Sequence, residues 1–274
     1  MSEHPHPVVL VVGANLRDAR ERRYILLDQA AELLDVTPET FCAIEAGHRA
    51  IAPADIHRLC ALYGSHDGRA LARMTAVACS GPVRTGKAWP AEPDRSSAVP
   101  FCDDFEGHGR RLNAVVRQAR RVRWLSTVLV PPPLQTPEYT TLLKQPAAAL
   151  PGAPLPHPPH QTFVLEESVL IGGDHVPAVM EGQVAHLADL RVPGVTVHIV
   201  RGLFESCSIA ELAMTAGTVL VRGWEPPTYQ AGTALSLHLD AAVAAATSAG
   251  SGRLIERALA RHRERFAVTA PEGS

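Results

Sequence analysis

At 274 residues and 29.3 kDa, the chain is long for one small core and divides into about two domains at roughly 150 residues each. Hydrophobic residues make up 46% and charged residues 20%, which supplies packed cores and argues against wholesale disorder. The balance of 26 basic against 28 acidic side chains, net −2, excludes a protein held to nucleic acid by overall charge, so any DNA contact is local.

No run of about 18 apolar residues occurs, so no membrane span is expected. The opening MSEHPHPVVLVVG lacks the basic start of a signal peptide. Cys42, Cys60, Cys79, Cys102 and Cys207 are odd in number and never form CxxC. That spacing points to reduced thiols in a cytoplasmic protein, with neither a disulfide framework nor a zinc knuckle.

In chain order, GANLRDARERR predicts a first helix with Leu16 and Ala19 inward and Arg17, Arg20, Arg22 and Arg23 outward; His4 and His6 precede it in a frayed tail. LLDQAAELL follows, then VTPETFCAIEAG, with Thr37 as N-cap, Pro38 at the first helical position and Gly47 as the left-handed stop. Its buried stripe is Val36, Phe41 and Ile44. Pro53 opens another helix with Ile56, Leu59, Cys60 and Tyr63 on one face, ending at Gly64. Short helices with a tight turn between the second and third are what a helix-turn-helix requires.

Residues 81–107 are rich in Gly, Pro and Ser and read as a linker. The stretch RRLNAVVRQARRVRWL predicts a helix with Leu112, Val115, Val116, Ala119 and Val122 on one face. Residues 131–159 hold ten of the 23 prolines and are expected to form a long loop or strap. Beyond them, strands are expected at 161–165, 195–200, 208–214, 218–223 and 234–240. Helices are expected at 176–191 and over the closing DAAVAAATSA and RLIERALARHRERF. The fold class is therefore mixed: an all-α helix-turn-helix domain (1–80), a linker (81–107) and an α+β ligand- or partner-binding domain with a small sheet (108–274).

The segments NLRDAR, AAELLDVTPETFCAIEAGHR and PADIHRLCALYG resemble the XRE-type, lambda-repressor-like helix-turn-helix. LVPPPLQTPEY, FVLEESVL and VPGVTVHIV resemble marker segments of a C-terminal domain of unknown function found behind that helix-turn-helix in antitoxin-like bacterial regulators. The resemblance implies a structural ion pair between Arg20 and Glu45. It implies groove-facing positions at Thr37, Pro38, Glu39, Thr40 and Ala43, and a phosphate-contacting turn at His48 and Arg49, with Arg17 adding a contact from the first helix. Its implied partners are duplex DNA, a second copy of the chain, and a small accessory protein or small-molecule ligand.

The sequence departs from that pattern where charge matters. Leu26 and Leu27 stand where a cap and a phosphate contact are usual, and residues 37–47 contain Glu39 and Glu45 but no Lys or Arg. Across 8–65, six basic residues face eight acidic ones. A duplex carries one negative charge per about 1.7 Å of axis, so an exposed Glu39 mostly repels, although it can accept from a cytosine amino group. Two functions follow: a sequence-specific transcriptional regulator, or a repurposed regulator fold acting on a small molecule through a C-terminal pocket.

The C-terminal half carries no GxSxG, HExxH, P-loop or GxGxxG signature, and neither a metal site nor a cofactor is expected. The histidines of 157–160 sit in the proline strap. His198 and His238 fall on the off-core faces of two expected strands and are either structural or a general acid/base pair. Glu166 and Glu167 cap a turn or hold an arginine, with Glu166 the carboxylate for the enzymatic alternative. Cys207 falls in a loop. Trp124, Trp224 and Tyr229 are candidates for the wall of an apolar pocket, or for plain core packing.

Overall fold

The computed structural model describes residues 6–78, 100–143, 160–172, 176–202, 208–224, 226–231, 236–246 and 248–269. Five helices come first: α1 (Pro7–Arg22), α2 (Leu27–Leu33), α3 (Pro38–Glu45), α4 (Pro53–Tyr63) and α5 (Gly68–Ala78). Then follow β1 (Phe101–Cys102), α6 (His108–Gln118), β2 (Arg121–Ser126), a 3-10 turn (Pro132–Leu134), α7 (Pro137–Leu142), β3 (His160–Glu166), α8 (Glu167–Ile171) and α9 (Pro177–Asp189). The chain continues through β4 (Val195–Val200), β5 (Ser208–Ala213), β6 (Thr218–Arg222), β7 (Thr228–Ala231), α10 (Ser236–Ala245) and α11 (Ser248–Thr269). An all-α N-terminal region thus precedes a mixed α/β region, whose seven-stranded sheet runs β1-β7-β6-β5-β2-β3-β4. Pairs β1–β7 and β6–β7 are antiparallel, and β3–β4 is parallel.

Two compact units emerge: Met1–Arg121 with Glu211–Thr233, and Val122–Ala210 with Ala234–Ser274. The first is built around α1, which packs against α3, α4, α5, α6 and β7. Four valines (Val8, Val9, Val11 and Val12) flank Leu10, yet the stretch is helical and buried, because enclosure on every side outweighs the modest local preference of valine. His6 is not frayed: its Nδ1 accepts the Val8 N–H at 3.2 Å and caps α1. Gly13 lies where α1 meets the end of α3. A Cβ there would stand 2.5 Å from the Ile44 carbonyl oxygen and 2.8 Å from that of Glu45.

Helix α6 is stitched to α1 by polar contacts. Arg117 donates to both oxygens of Asp18 at 2.7 and 2.8 Å, Gln118 donates to Glu21 at 2.9 Å, and Asn15 donates to the Arg111 carbonyl at 3.3 Å. Arg111 is fully buried and grips Asp103 at 2.9 and 2.6 Å, Asp67 at 2.9 Å, and the carbonyls of Phe105 and Glu106, each at 2.9 Å. Every guanidinium nitrogen therefore has an acceptor, as a buried cation requires.

In the second unit, the parallel pair β3–β4 is bridged in sequence by α8 and α9, the helical crossover such a pair needs. Trp124 of β2 stacks on Phe163 of β3, ring centroids 5.8 Å apart, and donates through Nε1 to Gln161 at 3.1 Å. Leu125, Val164, Val200, Leu239 and Ala242 form a core cluster. α11 packs on α9, α8 and β4.

Several sequence expectations are corrected. Residues 236–240 are helical where a strand was expected, since α10 spans Ser236–Ala245, and 234–235 lie outside the described residues. The helix expected to run on through Val122 stops at Gln118, Ala119 is extended, and Arg121–Ser126 is strand. Within 131–159, Pro137 opens α7, capped by Thr136, whose hydroxyl accepts the Tyr139 N–H; proline at the first helical position removes no bonded donor. The expected linker lies outside the described residues up to 99, as do His4, Cys79, residues 144–159 and Cys207.

Candidate nucleic-acid interface

The unit formed by α2, its turn and α3 is fixed from three sides. Helix α2 has Leu26 at its cap position, which offers no acceptor; Gln29 Oε1 takes the Leu26 N–H at 3.0 Å instead. The turn is made by Asp35 at φ +55°, a left-handed conformation that short polar side chains tolerate better than most. Thr37 then caps α3, its hydroxyl accepting the Thr40 N–H at 3.2 Å. Phe41 and Ile44 are buried beneath it, while Val36 is only half-buried.

Arg20 and Glu45 form the expected ion pair. Nε and Nη2 donate to the two carboxylate oxygens at 2.7 and 2.8 Å, and Nη1 donates to the Ile25 carbonyl at 3.0 Å. One guanidinium thus joins the end of α1 to the last turn of α3 and to the residues leading into α2. Burial pushes the Glu45 carboxyl above its ordinary range against the pull of Arg20. The hydrogen bond that Arg20 donates to Glu45 in turn raises the guanidinium.

What remains exposed on the reading helix is acidic. Thr37, Glu39 and Cys42 are exposed, and Thr40 and Ala43 are half-buried. The Glu39 carboxylate is held below its usual range by its own backbone N–H and by the Thr37 side chain, so it is ionised at neutral pH. Of the two carboxylates counted in 37–47, Glu45 is buried and paired, leaving Glu39 as the charge presented outward. His48 and Arg49 are exposed on the turn after α3. Arg17 is exposed too, but donates to Glu21 at 2.7 Å one helical turn away. Two cations of α1, Arg17 and Arg20, are therefore already engaged.

The C-terminal candidates are spread over both units. Trp124 is buried in the second unit, while Trp224 and Tyr229 are buried in the first. The Tyr229 hydroxyl has no hydrogen-bond partner among the described residues, and burial raises its pKa well above the phenolic value. His198 lies on β4 in register with Val164; its Nδ1 is buried without a partner among the described residues, and burial lowers its pKa. His238 belongs to α10, not to a strand beside β4, and its side chain lies outside the described residues. Glu166 caps α8, accepting the Ser168 N–H at 2.6 Å, and Glu167 receives Arg201 at 2.5 and 2.7 Å. Among the described residues, no group of three or more His, Cys, Asp or Glu is arranged to hold a metal. None of their helices is long and apolar enough to cross a membrane.

Sequence reasoning overlooked the polar wall that α6 builds against α1. The signal available was polar side chains at helical spacing on α1, Asn15, Asp18 and Glu21, and the polar pair Arg117 and Gln118 on α6.

This geometry defines a helix-turn-helix domain, and residues 11–74 match a family model described as a helix-turn-helix domain. Comparison with curated proteins and with solved structures returned no match.

Proposed function

We propose that the chain is a DNA-binding transcriptional regulator of the XRE, antitoxin-like type. It acts in the cytoplasm as a homodimer, its two reading helices set about 34–36 Å apart for successive major grooves. The C-terminal half receives a small molecule or an accessory protein. One observation carries the reading: α3 is rigidly held by the Arg20–Glu45 fork and by packing on α1, yet keeps Thr37, Glu39 and Cys42 exposed. Thr40, His48 and Arg49 supply the contacts, and Glu39 discriminates against neighbours that lack an amino donor.

The paired state of Arg17 and Arg20 favours a second reading. Here the helix-turn-helix has lost its duplex and the protein acts on a small molecule, with His198, His238 and Glu166 as its acid/base groups. Binding of the purified chain to a pool of genomic fragments separates the two. A regulator retains a defined subset at low salt and releases it steeply as salt rises; no retention even at low salt sinks the regulator. Glu39→Lys is expected to strengthen retention and steepen the log–log salt slope by about one.

A further inference from the structure

The first unit contains a cleft of about 390 Å³ walled by the C-terminal half of α1, the α4–α5 turn and the start of α6. That volume lies within the range of small-molecule sites, roughly 300–1,000 Å³. Its charged lining is Asp18, Arg22, Arg23, His66, Asp67 and Arg110. The two carboxylates are already answered: Asp18 by both donors of Arg117, and Asp67 by Arg111 at 2.9 Å, with Arg110 at 3.5 Å. Arg111 is itself committed to Asp103, so Arg110 balances Asp67. Arg22 and Arg23 are left over. Both are exposed, and their side chains make neither an ion pair nor a hydrogen bond among the described residues. Arg23 lies across Gly64, its Nη2 standing 3.0 Å from where a Cβ would be.

We propose that this cleft binds a small dianion, a phosphomonoester or dicarboxylate of metabolite size, between Arg22, Arg23 and Arg110. Two guanidinium groups unpaired among the described residues match two negative charges, and their planar forks suit the oxygens of phosphate and carboxylate alike. The site also sits beside the anchor of the reading helix. Arg20, which grips Glu45, lies in the same last turn of α1 as Arg22 and Arg23. Tyr63, which lines the cleft, is buried close enough to Arg20 and Glu45 to feel both charges. A bound dianion therefore acts on the turn that holds α3, and the cleft serves as an effector site. That regulatory role rests on the DNA-binding reading, whereas the binding itself does not.

Calorimetric titration of the full chain at about 0.15 M salt with glycerol 3-phosphate, with succinate and with neutral glycerol tests it. Saturable one-to-one binding of at least one dianion is expected, with none for glycerol. The Arg22→Ser/Arg23→Ser double variant is expected to lose tenfold or more of the affinity, and Arg222→Ser, at the exposed end of β6, none. Thermal melts check that the double variant folds, and Arg110→Gln serves as an independent probe of the same wall. Absence of saturable binding by either dianion overturns the proposal. So does equal affinity in the double variant. Should that variant lose only duplex retention, with no dianion bound by the parent chain, the arginines contact backbone phosphate and the cleft is not an effector site. Dianion binding without duplex retention leaves the cleft standing and removes the regulator.

Discussion

The two compact units solve the problem of buried polarity differently. In the first, the groups taken out of water are charged: Arg111 with Asp103 and Asp67, Arg117 with Asp18, Arg20 with Glu45. In the second they are largely amides and hydroxyls. Gln183 accepts the Thr136 N–H at 2.8 Å and donates to the Leu134 carbonyl at 2.8 Å, Gln135 donates to the Val130 carbonyl at 2.8 Å, and Ser251 accepts the Ile199 N–H at 2.9 Å. Its Arg123 is mostly buried but reaches Asp240, whose side chain is exposed. Amides hold one loop in place at small desolvation cost. A buried guanidinium holds several elements at once, and only in one geometry, because any other leaves a bare charge. The unit with the reading helix is the one fixed in that stricter way.

The largest test of this contrast is Arg111→Ala. It leaves Asp103 buried without its partner, and a stability loss of about 3–5 kcal/mol by chemical denaturation is expected. Gln183→Leu keeps the volume but orphans the Thr136 N–H and the Leu134 carbonyl. The same measurement should give about 1–3 kcal/mol. Equal losses would erase the distinction between charged and neutral stitching. The smallest effect concerns backbone alone: Asp35→Gly relieves the left-handed turn before α3 and should add about 0.5–1 kcal/mol. A loss there would mean that the Asp35 side chain contributes more than its backbone strain costs.

The helix-turn-helix was legible because each of its signals is local. Thr37 and Pro38 mark a helix start, Gly47 and Gly64 take positive φ at the stops, and Phe41 and Ile44 repeat at helical spacing. The strand at 121–126 was legible too, in the alternation of Arg121 and Arg123 with Val122 and Trp124, but an arginine-rich helical pattern running into it masked the change of period. Residues 234–240 misled in the opposite direction, since alternating leucines also suit a helix once one face is covered, and Leu239 is buried in the core cluster with Ala242. The candidate interface was legible as positions and not as charge. Which arginines are spent on Glu21, Glu45 or Asp18 depends on side chains 4 to 99 residues away, and spacing carries no record of such distant pairing.

Gly13 carries one more consequence. Because the carbonyls at the end of α3 press into the space a methyl group would fill, the distance between these two helices is set by a missing carbon atom. No substitution at that position leaves the seat of the third helix undisturbed. Diversification of what the head reads must therefore come from the outward side chains at 37, 39, 40 and 43, while the hinge line behind them stays frozen.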